Sequence, residues 1–321
     1  MTQKAKNTSL NRASQAKEDE FYTQLEDIEN ELRHYRHHFK DKVVFLNCDD
    51  PETSNFWRYF QLNFDFLGLK KLISTHFDPE KPTYKLELSH GDKEPVKTPL
   101  TQNGDFRSPE CIEILKQSDI ICTNPPFSLF REYIAQLFEY NKKFLVIGSQ
   151  NNATYKDIFP LIQNNELWLG YKSGDMAFRV PDYYEPRKTR YWVDETGQKW
   201  RSMGNITWYT NLSHNKRNEE LLLVKYYNET DYPQYSNYDS IEVGRVADIP
   251  KDYYGKMGVP VTFLSSYNPN QFEIIGYSGT LAQPIYIDGK KKSGRFYIGT
   301  RRLYERLVIK RKEKNNGNTT S

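Results

Sequence analysis

Three cysteines, Cys48, Cys111 and Cys122, are all that this 321-residue sequence contains, and no two stand in a CxxC pair. An odd, unpaired set excludes both a zinc frame of that spacing and a disulfide scaffold, and fits reduced thiols in a cytosolic protein. No stretch approaches 18 apolar residues, and the first twenty residues, MTQKAKNTSLNRASQAKEDE, lack an apolar core. Neither secretion nor membrane spanning is expected, and the cytoplasm is the expected compartment. No internal repeat is visible. His34 and His38 stand one helical turn apart, but no third ligand accompanies them. With His37 they read as a solvated helix edge, so no metal is expected.

What is present is ordinary hydrophobic (37%) and charged (27%) content, on a chain long enough for one large or two moderate domains. Aromatic residues reach 15%, with 24 tyrosines against 18 phenylalanines, a composition that serves contact surfaces as well as core. Trp192, Trp200 and Trp208 could stack on nucleic acid, but tryptophans alternating in strand-rich segments read first as core. The net charge of +3 conceals an uneven distribution. Gly289–Lys314 holds eleven basic residues against Glu305 and Glu313, which leaves −6 for the remainder. Lys290, Lys291, Lys292, Arg295, Arg301 and Arg302, interleaved with Phe296, Tyr297 and Tyr304, suit contact with a phosphate backbone. A solvated tail or charged strand face is the alternative.

Residues 1–20 are polar and expected to be flexible. Leu25, Ile28, Leu32, Tyr35 and Phe39 recur at helical spacing, and Thr23 with Glu26 forms a capping-box pattern at the start. Val43–Leu46 is a continuous apolar run of the kind buried on both faces. A helix over about 53–67 closes at Gly68, and residues 69–75 read as a second strand. Residues 79–104 read as irregular, with four prolines. Ser108-Pro109-Glu110 opens a short helix. Strands at 119–122 and 144–147 alternate with helices near 129–140 and 154–163, which predicts βαβ units on a mainly parallel sheet. Beyond residue 165 short alternating runs (206–212, 221–227, 259–264, 272–277, 295–298) predict a β-rich region. The expected organisation is therefore α/β, with a catalytic domain over 21–165 and a second region over 166–321.

Asn124-Pro125-Pro126-Phe127 follows a predicted strand end, the place where open α/β sheets bind ligands. The tetrapeptide matches a specific chemistry. An aromatic amine is a poor nucleophile because its lone pair is delocalised into the ring. Two acceptors aimed at its N–H bonds, the Asn124 side-chain oxygen and the Pro125 carbonyl, favour the tetrahedral form and meet the positive charge that develops. Two prolines stiffen the turn, and Phe127 offers a face on which a flipped base can stack. Upstream, Asp105 and Phe106 suit an adenine amine and its ring, and Asp78, after a strand, suits ribose hydroxyls.

These blocks carry a resemblance. Asp19-Glu20-Phe21-Tyr22-Thr23-Gln24, VVFLNCDDPETSNF (Val43–Phe56), LGLKKLIS (Leu67–Ser74), GDFRS (Gly104–Ser108), TNPPFSLFREY (Thr123–Tyr133), Asp248-Ile249-Pro250 and GVPVTFL (Gly258–Leu264) together resemble the EcoRI-type adenine-specific DNA methyltransferase family. The resemblance implies a Rossmann-like methyltransferase domain, S-adenosylmethionine as donor, and a C-terminal region that reads duplex DNA. It implies that Phe21 and Tyr22 line the methionine end of the cofactor pocket, with Asn47, Asp49 and Asp50 approaching the same cofactor. The usual glycine-rich loop is replaced by Cys48-Asp49-Asp50-Pro51. The expected activity is site-specific methylation of adenine N6 in duplex DNA by a monomer, with any cognate restriction endonuclease sharing the site but not bound. An RNA adenine-N6 methyltransferase and a catalytically silent DNA-binding module are the alternatives.

Overall fold

The computed structural model describes residues 21–79 and 82–313, so the N-terminal twenty residues and Lys314 lie outside the described residues. Among those described, the chain forms two compact units, 21–152 with 168–213 and 153–167 with 214–313. Segment 168–213, grouped by its strand pattern with the β-rich region, belongs instead to the first unit, because its long strands extend that unit's sheet.

The first unit is a mixed α/β layer around a ten-stranded sheet. In chain order its strands are β1 (Tyr22–Thr23), β2 (Val43–Leu46), β3 (Lys71–Thr75), β4 (Tyr84–Ser89), β5 (Val96–Pro99), β6 (Ile120–Thr123), β7 (Lys143–Ser149), β8 (Trp168–Arg179), β9 (Tyr191–Val193) and β10 (Lys199–Thr210). They lie in the order β1-β8-β10-β7-β6-β2-β3-β4-β5, with β9 added to β10. The central four, β7, β6, β2 and β3, are parallel, and the flanking pairings are antiparallel. Apolar runs at β2, β6 and β7 are buried almost throughout, as parallel strands covered on both faces require.

Helices α1 (Leu25–Leu32), α2 (Asn55–Leu62), α3 (Phe64–Leu67), α4 (Pro109–Gln117) and α5 (Phe130–Glu139) pack on this sheet. The Ser54 hydroxyl caps α2 by accepting the Phe56 N–H at 3.1 Å, and Gly68 ends α3 in the left-handed conformation, φ 63°. Ser108 likewise caps α4, with Pro109 in its first turn. The core of α1 and α2 is aromatic: Phe39 meets Phe60 edge-on at 5.3 Å, and Phe56 meets the fully buried Trp208 at 5.8 Å.

Three local expectations are corrected. The capping box does not form: Thr23 pairs with Phe178 in the β1–β8 ladder, and Gln24 stands at the α1 N-cap without a side-chain capping bond. The helix stops at Leu32, and a 3-10 turn at Arg36–His38 carries the periodicity on, since that turn also repeats every three residues and keeps Tyr35 and Phe39 buried. Residues 84–99, read as irregular, form the antiparallel pair β4 and β5, with exposed β5 and Pro99 at the sheet edge.

The second unit holds a four-stranded sheet in the order β11 (Ile241–Glu242), β12 (Lys256–Pro260), β18 (Arg306–Arg311), β13 (Phe272–Tyr277). Two hairpins accompany it, β14 (Ile285–Ile287) with β15 (Lys290–Lys292), and β16 (Tyr297–Ile298) with β17 (Arg301–Arg302). Helix α6 (Phe159–Gln163) is anchored here by the Gln163 amide, which donates to the carbonyls of Ile274 and Ile275 at 3.1 and 2.9 Å. The run 221–227 forms no ladder beyond a single bridge between Lys225 and Pro250.

Candidate active site

From β2 the chain moves outward to β3, then returns to place β6 and β7 on the other side of β2. The strand order reverses between β2 and β6, so the crevice beyond their carboxyl ends is where an open α/β sheet receives a ligand. Asn47–Asp50 leave β2 there, and Asn124–Phe127 leave β6.

Asp49 ties these ends together. Thr123 Oγ1 donates to one of its carboxylate oxygens, Ser54 Oγ donates to the other at 2.9 Å, and the Asn124 N–H bonds the same group. Ser74, at the end of β3, donates to the Asp49 carbonyl at 2.7 Å. Burial pushes the Asp49 carboxyl up to about 6, against the three hydrogen bonds that lower it.

The Asn124 amide nitrogen donates to the Phe21 carbonyl at 2.6 Å, and Asn124 Oδ1 is buried without a hydrogen-bond partner. Pro125 is buried; Pro126 opens a 3-10 turn over Phe127–Leu129, its carbonyl accepting the Leu129 N–H at 3.0 Å. The Phe127 ring stacks on Phe21, centroids 5.4 Å apart, and meets Phe178 edge-on at 6.4 Å. Phe21 in turn touches Tyr184 edge-on at 6.0 Å. Tyr22 lies in β1 with the Arg179 guanidinium 5.7 Å from its ring centre.

Asn47 is buried, its Oδ1 accepts from the Tyr133 hydroxyl, and its Nδ2 has no hydrogen-bond partner. Tyr133 also meets Phe106 edge-on at 5.0 Å, so Phe106 is part of the packed wall. Gly104, φ 73°, turns the chain where any Cβ would lie 2.0 Å from the His76 carbonyl, and so delivers Asp105. Burial raises the Asp105 carboxyl, but paired hydrogen bonds from Arg107, at 2.8 and 2.6 Å, outweigh it and hold the group below its usual range. Asp50 accepts from the Tyr84 hydroxyl at 3.0 Å. The Asp78 N–H donates to the Asn103 carbonyl at 2.9 Å, beside the Gly104 turn.

Sequence reading missed Thr123, Ser54 and Tyr133. Of these only Tyr133 left a signal: it shares the buried face of α5 with Phe130, Ile134 and Leu137, where a hydroxyl needs a partner. Trp208 is core, whereas Trp192 is exposed and stacks on Trp200 at 6.0 Å. His34 stacks on Tyr171, and His38 contacts the Ser213 carbonyl at 2.9 Å. Among the described residues, no group of three or more His, Cys, Asp or Glu side chains could hold a metal ion. No helix among them is long and apolar enough to cross a membrane.

Within the second unit, Lys290, Lys291 and Lys292 are exposed on β15 and Arg301 and Arg302 on β17. An open recess of about 390 Å³ is lined by Lys291, Lys292, Tyr297, Thr300 and Arg302, among others. Arg295 departs from this set: it pairs with Glu305 at 2.8 Å.

A family model described as "Adenine-specific methyltransferase EcoRI" matches residues 9–312. The chain belongs to that family. Type II methyltransferase M.EcoRI of Escherichia coli is 46% identical over 94% of this chain and 99% of its own length. Type II methyltransferase M.MpnI of Mycoplasma pneumoniae is 42% identical over 95% of this chain and 98% of its own. No solved structure matches. The chain is thus an adenine-specific DNA methyltransferase, and the resemblance read from its sequence blocks is borne out over nearly its whole length.

Proposed function

We propose that this methyltransferase moves a methyl group from S-adenosylmethionine to N6 of an adenine flipped out of duplex DNA, with Asn124 meeting the reacting amine. The observation that carries the reading is Asn124 Oδ1, a buried acceptor without a partner at the end of β6. A backbone carbonyl can only accept, so the Phe21 carbonyl fixes the Asn124 amide nitrogen on its own side and leaves the oxygen for an incoming N–H. Asn124 Oδ1 and the Pro125 carbonyl together accept the two amine hydrogens, which concentrates the lone pair on nitrogen as positive charge develops. Phe127, held on one face by Phe21, supports the extruded base.

The donor set fits the proposed cofactor. Asn47 Nδ2 is a buried, unpartnered donor at the neighbouring strand end, suited to a carboxylate or ring-nitrogen acceptor. With Phe21, Tyr22, Asp50, Asp78, Asp105 and Phe106 it would hold S-adenosylmethionine, whose sulfonium supplies the methyl group. The reversal of strand order at β2 and β6 supports a Rossmann-like reading of the first unit. The exposed cations of β15 and β17 support a DNA-backbone role for the second. We further propose that the enzyme acts in the cytoplasm as a monomer, with any cognate endonuclease sharing its site without binding it.

Sequencing methylated adenines in DNA from cells expressing the protein tests the reading directly. A fixed sequence context in wild-type cells, lost with Asn124→Ala, is expected. Unmodified adenine in both would overturn it.

A further inference from the structure

We infer that Asp49 is a positioning residue for methyl transfer, holding the Asn124 turn through the Asn124 N–H and the Thr123 hydroxyl rather than binding the cofactor. This rests on the assignment of Asn124 to the reacting amine.

Three donors from two elements converge on one carboxylate: Ser54 from the α2 cap, Thr123 from the end of β6, and the N–H of Asn124 next to it. Asn124 is thereby gripped at its backbone by Asp49 and at its side-chain nitrogen by Phe21. Only Oδ1 is left over. With its oxygens so occupied, Asp49 has little capacity for a ligand.

The cost of this arrangement argues for a role. The titratable groups facing Asp49 are Cys48, Asp50, Cys122 and Tyr133. Burial pushes Cys48, Cys122 and Tyr133 up, so they stay neutral, and Asp50 adds charge of the same sign. A half-buried carboxylate without a facing cation among these groups is costly to keep charged.

Ionisation is what makes the grip work. A carboxylate accepts all three donors with charge-assisted bonds, whereas a protonated carboxyl must itself donate, so one hydroxyl has to turn round and accept, and the grip on the turn weakens. Methyl transfer therefore slows as pH falls through about 6, the value to which burial raises the group. The Thr123 hydroxyl lowers that value, so removing it moves the acid limb to higher pH.

The test is single-turnover methylation of DNA from cells lacking adenine methylation, with tritiated S-adenosylmethionine at saturation, measured from pH 5 to pH 8. Asp49→Asn should cut the rate on the order of 100-fold, the usual scale for a misplaced group, and abolish the acid limb. Its S-adenosylmethionine affinity, by calorimetry, should stay within about twofold of wild type. Thr123→Val should shift the limb upward, and Thr123→Ser should restore it, which also covers the case that Asp49→Asn does not fold. A limb unmoved in Thr123→Val overturns the inference. So does an Asp49→Asn enzyme that turns over normally at saturating cofactor but binds it weakly. A wild-type enzyme that methylates no DNA would instead sink the reading of Asn124 itself.

Discussion

Around Asn124 the polar side chains are enclosed and spend their hydrogen bonds largely on one another, leaving Asn124 Oδ1 and Asn47 Nδ2 over. At residues 285–302, by contrast, five of the six proposed DNA-contacting cations stand on exposed strand faces, and Arg295 alone is tied into an ion pair. The first region is built to fix a few atoms; the second presents charge without fixing it. Substitutions should therefore separate by kind as well as by size. Changes at the crevice should alter the rate at saturation, and changes at the hairpins should alter affinity and its response to salt.

The largest effect is expected for Asn124→Ala. Loss of one preorganised acceptor should lower kcat by about 10²–10³-fold, with S-adenosylmethionine and DNA affinities by calorimetry close to wild type. A variant with near-normal turnover would remove the tetrapeptide from the mechanism. Next comes Phe127→Ala. Stacking contributes about 1–3 kcal/mol per base, so the variant should lose roughly 5- to 150-fold, and Phe127→Trp should keep part of the activity. A fluorescent base analogue at the target position reads extrusion directly, and normal extrusion in the alanine variant would make Phe127 ordinary packing.

Much of the crevice is legible in the amino-acid sequence alone. β2, β6 and β7 announce themselves as apolar runs because both their faces are covered, and a buried strand carries its signal in its own residues. Gly68, Ser108 and Pro109 mark helix ends for equally local reasons. Long-range pairing is what the sequence hides. Thr23 reads as a cap because Glu26 follows it, yet a strand more than 150 residues away claims its backbone. Exposed β5 shows no alternation, and the Trp168–Thr210 strands read as a separate region because nothing local reveals that β10 pairs with β7. The Thr123–Asp49 and Tyr133–Asn47 bonds span 74 and 86 residues, beyond any pattern.

The hairpin side of the contrast is sharpened by replacing Lys290, Lys291 and Lys292 together with alanine. Cognate and non-cognate DNA should weaken by similar factors, and kcat at saturating DNA should not change. The salt dependence should flatten by nearly one unit of log–log slope for each phosphate that the lysines no longer neutralise. An unaltered slope would return these lysines to the solvent. The smallest effect is expected for Asp105→Ala. Arg107 already occupies both carboxylate oxygens, so S-adenosylmethionine affinity should fall by less than about tenfold, and by more than DNA affinity does. Cofactor binding that is entirely unchanged would make Asp105 a structural partner of Arg107 and nothing more.

The chain leaves the first unit at residue 153, contributes α6 to the second, returns at 168, and leaves for good after 213. Exchange of the second unit between relatives is consequently not a matter of one crossover. A hybrid joined only at residue 213 would keep one parent's α6, with Phe159 packed at 4.7 Å against Tyr277 and Gln163 bonded to Ile274 and Ile275, beneath the other parent's sheet. A working graft has to carry residues 153–167 along with 214–313, so two separated stretches of gene must be inherited as one piece. Any shuffling of this unit within the family, natural or engineered, meets that linkage first.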